Sequence, residues 1–185
     1  MGARVDLVVF AALSVPAIAL SWRSLLRPRS HGFPRFFAFE AILGLLVINR
    51  PRWFGDPLAP RQLASGALLM ASLVCLIWGL SLLLREGGFD PRAEVSATSG
   101  RERTGRLVTR GIFRFIRHPM YASLLFLAWG ACLKHPTVLP LVLAGAGTVA
   151  LFLTARAEEA ENVARFGDEY RAYMARTRRF VPYLF

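Results

Sequence analysis

The stretch RFIRHPMYAS, residues 114–123, opens one of the long apolar runs in this 185-residue chain. Pro119 suits the first turn of a helix, where its missing N–H costs nothing. Arg114 and Arg117 mark the polar side of a boundary, and Met120–Leu133 is almost purely apolar. A helix therefore enters an apolar medium here. Capping that helix is the simplest role for His118; Tyr121 is left without one.

Four more apolar blocks lie outward from this stretch: Val5–Trp22, Phe36–Ile48, Leu63–Leu84 and Thr137–Leu153. Crossing the hydrocarbon core takes about 20 apolar residues. The first and third blocks meet that length; the others need flanking residues, bilayer thinning or a partly re-entrant path. The expected fold is an all-α integral membrane protein of about five transmembrane helices with a cytoplasmic amphipathic C-terminal helix. It is expected to be a single membrane domain over residues 1–185, made of helices one to three over 1–84, a basic loop over 85–117, and a helical hairpin with tail over 118–185. The first block is expected to be a retained helix, because only Arg4 precedes it while Arg23, Arg27 and Arg29 follow, the reverse of a leader peptide. Cys75 and Cys132 both fall inside apolar blocks and read as packing residues.

The net charge of +11 comes from 22 arginines and one lysine. With five spans, eighteen arginines fall on one side of the membrane; Arg4, Arg50, Arg52, Arg61 and Lys134 fall on the other. Positive residues gather on the cytoplasmic side, so the C-terminus is expected in the cytoplasm and the N-terminus outside. Basic residues spread along membrane boundaries speak against a nucleic-acid partner. Arginine nearly to the exclusion of lysine suggests a GC-rich genome and hence a bacterial inner membrane.

Several features stand out along the chain. Pro16 is expected to kink helix one, and Pro34 to start helix two. Glu40 is an acid inside an apolar block: a functional candidate by position, or a side chain snorkelling to a near interface. Trp53 and Phe54 read as interface anchors. Ala67, Ala71, Ser72 and Gly79 would let helix three pack closely, and Ala144–Gly147 would do the same for helix five. Within the basic loop, Leu107–Ile116 mixes apolar residues with arginine and reads as a segment lying on the bilayer surface. The loop either binds anionic headgroups or only sets topology. His135, in the Lys134-His135-Pro136 turn, reads as an interface residue on the outer side.

After Leu153 the chain becomes charged. Val163, Phe166, Tyr170 and Tyr173 recur at helical spacing. Projected backward, that face centres on Glu159, with Glu158 on its flank, if the helix continues through Gly167. Glu161 sits opposite, four before Arg165, where an ion pair on a solvated face would suffice. A buried carboxylate at Glu159 needs a partner, and Arg117, His118 or a bound cation would serve. The helix-four/helix-five hairpin returns Glu158 to the membrane face of His118. A histidine and a carboxylate under an aromatic roof, with apolar walls, make a small-molecule pocket.

Residues 107–121, LVTRGIFRFIRHPMY, followed by Glu158-Glu159, FGDEYRAY at 166–173 and the closing Phe180-Val181-Pro182, resemble the integral-membrane methyltransferases. That superfamily includes isoprenylcysteine carboxyl methyltransferases and phospholipid methyltransferases. The resemblance covers residues 105–185 and implies methyl transfer from S-adenosylmethionine to a lipid-soluble acceptor at the cytoplasmic face. It implies cofactor contacts at Leu107, Val108, Phe113, His118, Pro119, Met120, Tyr121, Glu158 and Glu159, and no metal. Glu40 and Arg156 are the candidates for substrate contact. The catalytic base is unassigned; an amine acceptor would need one, such as Glu40 or Tyr121, whereas a carboxylate would not. Three positions depart from the family pattern: Phe113 where tyrosine is common, Ser123 where glycine is common, and Thr154 where the eukaryotic isoprenylcysteine enzymes carry arginine. The last speaks against a prenylcysteine carboxylate. The competing reading is a non-catalytic membrane protein whose basic loop binds anionic lipid.

Overall fold

The computed structural model describes residues 2–28, 30–87 and 106–182. They form six helices: α1 (Gly2–Leu25), α2 (Gly32–Asn49), α3 (Pro60–Glu86), α4 (Pro119–Lys134), α5 (Val138–Phe166) and α6 (Asp168–Arg176). Short 3-10 turns occupy Arg50–Arg52 and Gly111–Arg114, and there is no strand among the described residues. The protein is an all-α membrane protein. Most of the basic loop, residues 88–105, lies outside the described residues.

Four helical segments are long and apolar enough to cross a bilayer: Arg4–Leu25, Gly32–Arg52, Pro60–Glu86 and Val138–Phe166. α4 has 16 residues, or about 24 Å at 1.5 Å per residue, short of the hydrocarbon thickness. Its surroundings explain how so short a helix is accommodated. α4 packs against α2, α3 and α5, and Ala122, Ala128, Ala131 and Cys132 are fully buried. A helix enclosed by protein need not match lipid thickness on its own. α1 is the opposite case: it packs on α2 and leaves nearly all of its apolar window open to lipid.

Small residues set the close contacts, though not all the expected ones. The α3 stripe facing α4 is Gln62, Ser65, Ser72, Cys75 and Gly79, whereas Ala67 is exposed. Ser65 Oγ donates to the Gly130 carbonyl at 2.7 Å. On α5, Ala144 is fully buried and Gly147 faces Ala41 of α2, while Gly145 has open space beside it. Gly79 is where α3 meets the start of α4. A Cβ there would stand 2.9 Å from Pro119 Cγ and 3.1 Å from Pro119 Cβ. The proline ring is rigid, so α4 itself must shift. Gly79→Ala is expected to destabilise the protein by about 1–3 kcal/mol through overpacking, read as a lower melting temperature in detergent. An unchanged melt would mean that the helices yield freely.

Two expectations are sharpened by the packing. Leu107–Ile116 turns most of its apolar side chains into the protein: Val108, Ile112, Phe113 and Ile116 are buried in a core cluster with Ala38, Tyr121, Ala155 and Phe180. Phe115 is the apolar side chain of this segment that faces out. The helix that carries Glu159 does not continue through Gly167. α5 runs unbroken to Phe166 and ends at Gly167, whose φ of +58° turns the chain into α6. A left-handed conformation favours glycine, which has no Cβ to clash.

The ends of the bundle agree with the charge distribution. His31, in the α1–α2 turn, meets Glu161 of α5 at 2.7 Å, and Arg117 meets Glu159 at 2.8 Å. The basic segments around 23–35, 106–117 and 156–179 therefore share one end. At the other end, Lys134 is buried, donates to Gln62 Oε1 at 2.9 Å and lies 5.4 Å over the Trp53 ring.

Candidate functional site

The site is built where the tail folds back on the entrance to α4. Arg117 N donates to Arg178 O at 2.7 Å, His118 N to Arg179 O at 3.1 Å, and Arg178 N to Phe115 O at 3.0 Å. These bonds form a parallel bridge between Ile116 and Arg178. The buried Glu159 carboxylate lies behind it. Arg117 Nε donates to it at 2.8 Å; Arg179 donates through Nε at 3.1 Å and Nη2 at 2.6 Å. Arg117 also donates to the Met174 and Thr177 carbonyls, tying the end of α6 into the same knot. Arg117 therefore does more than mark topology: its side chain is 8% exposed and joins α5, α6 and the tail.

His118 sits at the N-cap position of α4 but makes no side-chain capping bond. Its ring stacks on Tyr121, with centroids 5.4 Å apart, and lies against Phe180. Nδ1 is 3.8 Å from Glu158 Oε2. Nε2 is buried 3.4 Å from Glu159 Oε1, without a hydrogen-bond partner. Glu159 is already held by two guanidinium groups, and this imidazole nitrogen adds a third, longer contact to the same carboxylate. Glu158 is partly open, with 32% of its side chain exposed.

Two adjoining clefts of about 90 Å³ each meet here, sharing Leu83, Phe113, Arg117, His118 and Glu158. One extends over Pro119, Met120 and Tyr121. The other runs along Leu107, Val108, Asn162, Phe166, Tyr170 and Tyr173. Each is smaller than the roughly 300–1,000 Å³ of an enclosed small-molecule site; they are walls of a partly open one. Asn162 is the hydrogen-bond partner of the Tyr170 hydroxyl, and burial pushes that hydroxyl up to about 12. Burial also raises Tyr173 above the usual tyrosine range, and its hydroxyl donates to Phe113 O at 2.7 Å. Both phenols stay neutral near pH 7, and Tyr173 acts as a donor.

Leu107, Val108, Phe113, His118, Pro119, Met120, Tyr121 and Glu158 all line these clefts. Glu159 does not; it faces Arg117 and Arg179. Glu40 lies apart, between α1 and α2, where Ser14 Oγ donates to it at 2.6 Å. Arg156 is exposed and lines neither cleft. Glu161 is not simply solvated, since it takes His31. Among the departures, Ser123 Oγ bonds Met120 O and Thr154 Oγ1 bonds Ala150 O, each within its own helix. Sequence reasoning missed Leu83, Asn162, Arg179 and Phe180. For Arg179 a signal existed: a carboxylate on the α5 apolar face demands a cation, and Arg178-Arg179 follows only twenty residues on. Among the described residues no group of three or more His, Cys, Asp or Glu could hold a metal ion.

The sequence pattern of the phospholipid methyltransferase (PEMT) family matches residues 61–169, which hold nearly all of α3, the whole of α4 and α5, and the His118–Glu158 pair. The chain belongs to the phospholipid methyltransferase family. It is also 33% identical over 85 residues to methanethiol S-methyltransferase 1 of Bradyrhizobium diazoefficiens. That similarity covers 45% of this chain and 29% of the relative's length. No solved structure matches the chain. Family membership makes methyl transfer the activity to test, and the folded-back tail at the His118–Glu158 clefts is the candidate place for it.

Proposed function

We propose that this protein transfers a methyl group from S-adenosylmethionine to a lipid-soluble acceptor at the cytoplasmic membrane face of a bacterial inner membrane. The observation that carries the reading is the cleft in which His118 meets a partly open Glu158, its Nδ1 3.8 Å from the carboxylate, beside an apolar wall. These residues fit the cofactor. Glu158 accepts from an ammonium; His118 donates to a carboxylate or ribose oxygen; Leu83, Leu107, Val108 and Phe113 offer an apolar surface to adenine. When bound, the cofactor supplies an activated methyl group on a sulfonium. Glu158 and His118 fix orientation, and the Phe180 and Tyr121 rings on either side of His118 exclude water. Catalysis is then mostly positioning, since a reacting pair held in line gains a high effective concentration. Glu159 serves this indirectly by holding the tail in place.

The acceptor is a neutral or weakly acidic group that reaches the cleft from the bilayer. The relative's name favours a thiol, which loses its proton readily enough to need no strong base. The arrangement agrees: Tyr170 and Tyr173 stay protonated, and Glu40 lies away from the clefts. The test is purified protein with methyl-labelled S-adenosylmethionine, offered lipid extract or a small alkyl thiol. Label is expected in one extracted product, and more with the thiol than with an amine-headgroup lipid. No label above a His118→Ala control with any acceptor would favour the non-catalytic lipid-binding alternative.

A further inference from the structure

A second cavity, of about 400 Å³, lies between the Thr109–Arg114 turn and the end of α6, lined by Thr109, Arg114, Tyr173, Arg176 and Thr177. The Tyr173 hydroxyl bond to Phe113 O stands between it and the reaction clefts. Its chemistry differs from theirs. No carboxylate lines it, and neither Arg114 nor Arg176 has an acidic partner among the described residues. Arg176 Nε donates to Ala172 O at 3.2 Å, which fixes the guanidinium and leaves its terminal nitrogens free to donate. Two guanidinium groups with a hydroxyl at Thr109, in a concavity, match the oxygens of a phosphate. Phe115, next to Arg114 in the chain, is 44% exposed, an apolar ring of the kind found at membrane interfaces.

We propose that this cavity binds a phosphate-bearing anion, either the headgroup of an anionic lipid or free phosphate. Nothing in this site depends on methyl transfer. Arg114 and Arg176 are exposed, so replacing them leaves the fold intact. Native mass spectrometry of the detergent-solubilised protein, with phosphatidylglycerol and phosphatidylcholine in equal amounts, tests the lipid source. Thermal melting with inorganic phosphate tests the free anion. If the source is lipid, the wild type retains phosphatidylglycerol over phosphatidylcholine, and Arg114→Gln/Arg176→Gln lowers retention by roughly fivefold or more. If the source is free phosphate, phosphate raises the melting temperature of the wild type and not of that variant. Arg23→Gln/Arg27→Gln, which removes the same charge elsewhere, keeps the wild-type behaviour in either case. Equal response of wild type and the Arg114/Arg176 variant to both ligands overturns the site. So does an equal loss in the Arg23/Arg27 control, which would reduce the effect to net charge.

Discussion

Glu159→Ala is expected to lower stability by about 3–5 kcal/mol, the cost of removing one partner from a buried ion pair. Arg117 and Arg179 would remain, with side chains 8% and 20% exposed and no counter-charge. Arg117 would keep its carbonyl partners but hold a desolvated charge. The bridge between residues 116 and 178 would loosen, and with it Phe180 over His118. Against a total stability of about 5–15 kcal/mol, such a loss is visible in any melting curve in detergent. Glu159→Gln should lose less, because its amide oxygen still accepts from one guanidinium. Arg179→Ala should also lose less, since Glu159 keeps Arg117. A Glu159→Ala protein that melts like the wild type would show that the carboxylate does not hold the tail.

Its neighbour should behave in the opposite way. Glu158→Ala removes a partly exposed carboxylate whose nearest basic group, His118 Nδ1, is 3.8 Å away, so stability should stay within about 0.5 kcal/mol. Affinity for S-adenosylhomocysteine should fall at least about tenfold, or roughly 1.4 kcal/mol, the low end for a lost charge-assisted hydrogen bond. His118→Ala should weaken binding by a similar factor. The two adjacent glutamates thus separate by readout: one moves the melting temperature, the other the dissociation constant. If Glu158→Ala also unfolds the protein, both acids are structural and the division fails.

Much of this was legible in the sequence because apolar length and arginine placement act one residue at a time. The blocks located every long helix, and the hairpin logic brought Glu158 to His118. What depends on neighbours in space was not legible. α4 looked too short to span, and only its enclosure by α2, α3 and α5 accounts for it. Leu107–Ile116 looked interfacial because arginines interrupt it; most of its apolar residues turn inward around the Gly111 turn. Glu159 was placed on a buried face by projection through Gly167, but the helix stops there. Glu159 is buried because Ala144, Gly147, Leu151 and Ala155 precede it on the packed face of α5. The Arg179 partner and the His31–Glu161 tie join segments 20 and 130 residues apart, which periodicity cannot connect.

Calorimetric titration of the purified protein with S-adenosylhomocysteine tests the central claim most directly. The account predicts saturable heat at one site in the wild type, with affinity weakened at least about tenfold in both Glu158→Ala and His118→Ala. Absence of heat in the wild type, or the same affinity in all three proteins, would contradict it.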